Sequence, residues 1–250
     1  MKKTLFTLIA ISFVSLSYFA QNFEGEITYE TTYKTMPEIT STRIVSMSKD
    51  DFYKGEQTSI NTKMNTSHFS VWIMKNDTFF SYDDFRENIC SYFTKVETQK
   101  LNTDTIHNNT KLYRLKDTVE ILGEKCIKYR KSSTMKTEDG REIKNMELYF
   151  VSLFLTSKNV YGIGKMKNHI ILKSIRTEEM GENKSRSTET ATKIIKKSMP
   201  ISVFQIPKDR KLVYLDPFSD RPYNPSQENN DRKKKPNKKR KKRNQDTTED

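Results

Sequence analysis

The sequence predicts a mainly β domain of α+β character, built on a largely antiparallel sheet. Two observations carry that expectation. The stretch FEGEITYET (residues 23–31) alternates: Phe23, Ile27, Tyr29 and Tyr33 fall on one side, Glu24, Glu26, Thr28 and Glu30 on the other. A period of two over this length is that of a half-buried strand. Short segments rich in β-branched and aromatic residues then recur at intervals of roughly eight to fifteen residues, with few helical stripes between them, as in a meander of hairpins.

Each element follows from local sequence. SHFSVWIMK (67–75) reads as a second strand, and Asn76-Asp77 marks a turn before TFFSY, since both residues tolerate a left-handed backbone. Residues 83–100 (DDFRENICSYFTKVETQK) place Phe85, Ile89, Tyr92, Phe93 and Val96 near helical spacing, so helix and strand are both open there. Short strands are expected at 112–115, 119–122 and 127–129, separated by polar or Gly-containing turns. Later strands are expected at 169–175 (HIILKSI), 191–195 and 202–206 (SVFQI), the last stopped by Pro207.

The two ends of the chain are different in kind. Lys2 and Lys3 precede an apolar run over residues 5–20, and polar Gln21-Asn22 follows. That order of charge, apolar stretch and small residue is the layout of a secretory signal peptide, and the run is shorter than the roughly 20 residues a spanning helix needs. Residues 1–20 are therefore expected to be a signal, making the mature protein exported, periplasmic or secreted, and soluble after cleavage. Past Tyr223 the chain has no aromatic or aliphatic residue, so residues 219–250 are expected to be a disordered tail. The domain between, residues 21–218, is long enough for one core.

Charge is concentrated in that tail. Of the formal net charge of +13, residues 221–250 contribute eleven Lys or Arg against five Asp or Glu, and Lys2 and Lys3 leave with the signal. Arg232, Lys233, Lys234, Lys235, Lys238, Lys239, Arg240, Lys241, Lys242 and Arg243 form one run with no aromatic among them. Single-strand nucleic-acid binders interleave aromatics for base stacking, and an exported chain does not meet the chromosome, so no nucleic-acid partner is expected. The run suits an anionic envelope surface or an acidic protein.

Two cysteines, Cys90 and Cys126, lie in the exported part. In an oxidising compartment an even pair favours a disulfide, and closing a loop of about 37 residues is worth roughly 3–4 kcal/mol. Two separate buried thiols are the alternative. Nothing in the sequence points to catalysis or to a cofactor. His68, His107 and His169 have no partner at metal-ligand spacing, no G-x-S-x-G turn or Gly-rich phosphate loop occurs, and Asp83, Asp84 and Glu87 lack the spacing of a calcium loop. No enzyme is expected.

One stretch is distinctive: TVEILGEKCIKYRK, residues 118–131. It resembles the I-x-G-x-K-C-x-K signature of exported Bacteroidetes-type proteins of the GLPGLI-like families, which are similar to the LolA/LolB/LppX lipoprotein carriers. FEGEITYE after the signal, YKGEQTSI (53–60) and VFQIPKDRKL (203–212) fall in the family's order. Residues 160–166 (VYGIGKM) stand where the Gly-Leu-Pro-Gly-Leu-Ile run would be, and lack its proline. The resemblance implies a curved antiparallel sheet forming a half-open barrel over one or more helices, with an apolar groove for a lipid or lipoprotein acyl chain. Phe69, Trp72, Met74, Phe79, Phe80, Phe150 and Phe154 would line such a groove. The competing expectation is an envelope interaction module on the same fold, with a closed core and a tail that engages its partner.

Overall fold

The computed structural model describes residues 21–86, 88–94, 110–136, 141–157 and 168–215. The segment read as a signal peptide, Glu87, residues 160–166 and the basic run from Arg232 to Arg243 lie outside the described residues.

The described residues fold as one open sheet of thirteen strands. In chain order these are β1 (Gln21–Asn22), β2 (Gly25–Tyr33), β3 (Ile39–Met47), β4 (Tyr53–Asn61), β5 (Thr66–Lys75), β6 (Thr78–Asp83) and β7 (Ile89–Thr94). There follow β8 (Lys111–Ile121), β9 (Glu124–Lys136), β10 (Glu142–Thr156), β11 (His169–Met180), β12 (Asn183–Lys196) and β13 (Lys211–Tyr214). The spatial order is β13-β7-β6-β5-β4-β3-β2-β12-β11-β10-β9-β8. All neighbours are antiparallel except β13, which lies parallel to β7, and β1, which pairs parallel with the end of β10. β1 takes up the side of β10 that β9 leaves beyond Ser152.

The turns obey local chemistry. Asn76 and Asp77 both have positive φ (49° and 58°), so the expected turn joins β5 to β6 as a two-residue hairpin. Leu122 (φ 51°) and Gly123 (φ 78°) do the same between β8 and β9. The distinctive motif is thus a hairpin: Ile121 ends one strand, Gly123 turns the chain, and Cys126 and Ile127 return on the next.

The alternation read in residues 23–31 holds. Phe23, Ile27 and Tyr29 are buried and Glu30 is exposed. The largest core cluster joins Phe23, Ile27, Val45, Met47, Cys126, Phe150, Leu155, Ile170 and Leu172; burying a side chain of this size stabilises by about 1.5–3 kcal/mol. A second cluster lies on the outer face of β5, where Val71 and Ile73 pack against Met199 and Phe204. Arg210 ties the closing segment to the sheet: its guanidinium donates to the carbonyls of Asp83, Arg86 and Ile89 and lies 4.3 Å over the Tyr82 ring.

Several expectations are corrected. No α-helix occurs among the described residues, so the helices that the resemblance places over the sheet are absent from this part of the chain. The outer face of β5 is covered instead by residues 199–206. Where residues 202–206 are expected as a strand, Ile201–Phe204 forms a single 3-10 turn that tucks Phe204 under β5; Pro200 and Pro207 bracket the segment, and Val203 N–H donates to the Pro200 carbonyl. In the ambiguous 83–100 segment, residues 89–94 are a strand, because Tyr92 and Phe93 pair across β6 with Phe80 and Phe79. The short strands expected at 112–115 and 119–122 are one strand, and β10, β11 and β12 run for 15, 12 and 14 residues. Among the described residues no helix is long and apolar enough to cross a membrane.

The expected disulfide is not formed: Cys90 and Cys126 are both free and buried. Cys126, on β9, packs within the largest core cluster, and Cys90, on β7, lies outside that cluster, with eight strands between them in the sheet order. Burial, reinforced by the Glu124 carboxylate, pushes the Cys126 thiol up to about 12; burial also raises Cys90, against the opposing charge of Arg210. Both are protonated and inert as nucleophiles at neutral pH. The purified protein is therefore expected to give the same intact mass with and without reductant. It should take up two alkyl groups on denaturation without reductant and label slowly when native. A single species that alkylates only after reduction would contradict the free thiols.

Candidate functional site

The antiparallel register stacks side chains into rows that cross the sheet. Met47, Tyr53, Met74 and Phe79 are successive partners on β3, β4, β5 and β6; Val45, Gly55 and Trp72 form the next row, and Tyr29 and Arg43 the next. On the other side Tyr149, Ser174 and Glu189 are partners on β10, β11 and β12. Paired residues in a ladder point to the same face, so these rows share one face of the sheet.

That face encloses a cavity of about 430 Å³. Its wall takes Phe79 from β6, Trp72 and Met74 from β5, Tyr53 from β4, and Arg43, Val45 and Met47 from β3. Tyr29 from β2, Glu189 from β12, Ile170, Ile171, Ser174 and Arg176 from β11, and Tyr149 from β10 complete it. Phe79 and Tyr149 stand seven strand steps apart. In a flat sheet that is about 34 Å, at roughly 4.8 Å per step. Both line one small cavity only because the sheet curls upon itself, and the wall is its concave face.

Gly55 makes room for the tryptophan. A Cβ there would lie 2.3 Å from Cε2 of Trp72, so the indole lies flat over the glycine. Glycine within a strand marks such a close approach. Opposite, the register of β10 against β11 breaks between Val151 and Thr156. Pairing of β11 with β12 begins only at Lys173, and the Tyr29 hydroxyl donates to the carbonyl of Ile171 at 3.1 Å. This irregularity lets the adjacent residues Ile170 and Ile171 both reach the wall.

The wall is divided by polarity. Tyr53, Trp72, Met74 and Phe79 make one side apolar, whereas the other side sets the polar Tyr149, Ser174, Arg176 and Glu189 beside Ile170 and Ile171. Arg43 lies between, along β3 from Val45 and Met47. Its Nη2 meets Glu189 Oε1 at 2.8 Å, and its guanidinium carbon lies 4.5 Å over the Tyr29 ring. Burial raises the Tyr29 phenol well above its ordinary range, with Arg43 opposing. Arg43 Nε is buried and has no hydrogen-bond partner among the described residues; leaving such a donor unsatisfied costs about 1–3 kcal/mol.

Beside it stands a satisfied cluster. Glu147 accepts from the Tyr149 hydroxyl at 2.6 Å and from Arg176 Nε at 2.9 Å, and Lys131 Nζ lies 3.1 Å away. Burial alone would raise the Glu147 carboxyl, but these three donors outweigh it and hold the group below the usual carboxylate range.

Of the seven residues expected to line a groove, Trp72, Met74 and Phe79 reach the cavity. Phe80 points to the outer face and packs with the Val71 cluster. Phe150 is a core residue beneath Lys173 Nζ at 5.7 Å, Phe154 is half-buried, and Phe69 is 37% exposed near the start of β5. The ten basic tail residues are outside the described chain. Sequence reasoning missed Arg43, Tyr53, Tyr149, Ser174, Arg176 and Glu189. Polar residues on an inward phase carry no hydrophobic signal, and only the register reveals them. Among the described residues no group of three or more His, Cys, Asp or Glu is placed to hold a metal ion.

Glu147→Gln is expected to destabilise the fold by about 1–3 kcal/mol near neutral pH. A carboxyl depressed in the folded state stabilises it above the unfolded pKa, and that contribution is lost as pH falls through the folded value. Urea unfolding across the acid range should therefore show wild type and variant converging as pH falls. A gap that persists in acid would contradict the ionised cluster.

No protein-family model matches the chain, and no curated protein matches it. Among solved structures it is similar to LprF from Mycobacterium bovis, whose crystal structure aligns with 10% identity over 75% of this chain and 90% of that one, at a TM-score of 0.29. A likeness at that score decides nothing about fold or function, and the site is read from its own geometry.

Proposed function

We propose that the protein is an exported, non-enzymatic binding or carrier protein that shelters an acyl chain or another apolar ligand within its curled sheet, in the manner of a LolA-like half-barrel. The observation that carries the reading is the cavity. About 430 Å³ of space lies beside Val45, Met47, Trp72, Met74 and Phe79. Small-molecule sites run to about 300–1,000 Å³ with mostly apolar walls and a few placed polar groups. An acyl chain that leaves water for such a wall gains about 0.8 kcal/mol per buried CH₂. An interaction module with a closed core would spend this face on packing. Among the described residues β13 and β8 are the two edges of the sheet, which supports a half-open barrel.

The reading is tested by native mass spectrometry of the protein purified from envelope fractions without detergent. A stoichiometric extra mass is expected, released on denaturation and identified as a lipid or acyl species. Gly55→Val, which pushes the Trp72 indole off β4 and into the cavity, is expected to carry less of it while keeping its β-sheet circular dichroism. A bare mass that stays bare after incubation with envelope lipids would contradict the reading.

A further inference from the structure

We infer that the ligand is a single-chain amphiphile with an anionic oxygen-acid head, seated with the head against Arg43 and the chain along Trp72, Met74 and Phe79. The inference rests on the proposed binding role and deepens it by naming the ligand class. Three observations on the cavity wall support it.

First, the wall is wholly apolar or aromatic toward β5 and β6, whereas Tyr149, Ser174, Arg176 and Glu189 lie toward β10, β11 and β12, beside Ile170 and Ile171. A neutral hydrocarbon would leave the polar side unmatched. Second, positive charge is in excess by one: Arg43 and Arg176 on the wall and Lys131 beside it stand against Glu189 and Glu147. Glu147 is taken up by Tyr149, Arg176 and Lys131, which leaves Glu189 as the one carboxylate of the wall. Third, the Arg43 fork is half used. Glu189 engages Nη2, and Nε is buried without an acceptor. A planar guanidinium matches a carboxylate or phosphate through two parallel N–H donors, so the Arg43 guanidinium, which lines the cavity, takes an acidic head beside Glu189. The tyrosine hydroxyls of the polar side do not compete, because Tyr29 already donates to Ile171 and Tyr149 to Glu147. The volume is at the lower end for small-molecule sites, which suits one chain.

The test compares three probes of equal chain length on the delipidated protein at mildly alkaline pH: palmitate, hexadecyl phosphate and the neutral hexadecanol. Titration of wild type is expected to show one site, with either acid bound about ten-fold or more tighter than the alcohol. Arg43→Met should bring the acids down to the affinity of the alcohol and leave the alcohol within about two-fold of wild type. Arg43→Lys, which keeps the charge and loses the fork, should fall between. Preference for palmitate alone would identify a carboxylate head, and preference for the phosphate alone a phosphate head; either supports the inference. Saturable 1:1 binding of hexadecanol equal to or tighter than that of both acids would overturn the inference and leave the apolar-ligand reading standing. Binding of none of the three would overturn both. If Arg43→Met loses its β-sheet circular dichroism, the wild-type selectivity and Arg43→Lys decide alone.

Discussion

From β2 to β6 four consecutive ladders run without a bulge, and everything at the site depends on that unbroken register. Side chains alternate with a period of two, so a slip of one residue anywhere in these strands would exchange the concave and outer faces. Trp72 and Met74 would then face Phe204, and Val71 and Ile73 would face the cavity. β5 tolerates no such exchange because it is buried on both sides: Val71 and Ile73 are almost fully covered by the Met199–Phe204 segment while Met74 is 5% exposed on the opposite face. The two-residue turn at Asn76-Asp77 fixes the phase of β6 against it. The irregular ladders lie elsewhere, where β12 meets β2, where β8 meets β9 and where β10 meets β11, and the last of these is what brings Ile170 and Ile171 to the wall together.

The polar side of the cavity follows a different rule. Burying charge is costly unless it is paired, and here Glu147 has three donors while Arg43 and Glu189 have each other. The contrast between the two groups is informative. Around Glu147 the requirements are met by the protein itself, so that cluster acts to hold β9, β10 and β11 in place. Around Arg43 they are met only in part, so that residue stands ready for an acceptor from outside.

The legible part of this fold was the part written in hydrophobic alternation. Residues 23–31, the Asn76-Asp77 turn and the hairpin at Gly123 follow directly from period and turn chemistry. The full length of the outer strands did not, because most of β8 and the first residues of β12 are exposed on both faces and so present little alternation. Residues 201–204 carried strand-like composition, and tertiary packing of Phe204 overrode it. Cys90 and Cys126 looked like a bridge because an even pair in an exported chain usually is one; their separation across eight strands is invisible in spacing. At the site, aromatic and Met content pointed to Trp72, Met74 and Phe79 but equally to Phe80 and Phe150, since composition does not give facing. Arg43 and Glu189, more than a hundred residues apart in the chain, meet only through the β12–β2–β3 ladders.

Trp72 is the only tryptophan in the sequence and lies on the cavity wall, so its emission reports the one event that matters. Titration with an acyl ligand brominated along its chain is the most direct measurement. Saturable quenching, absent with the same ligand unbrominated, is the result that a chain lodged in the curl of the sheet predicts. Trp72 emission unchanged at saturating brominated ligand would contradict it.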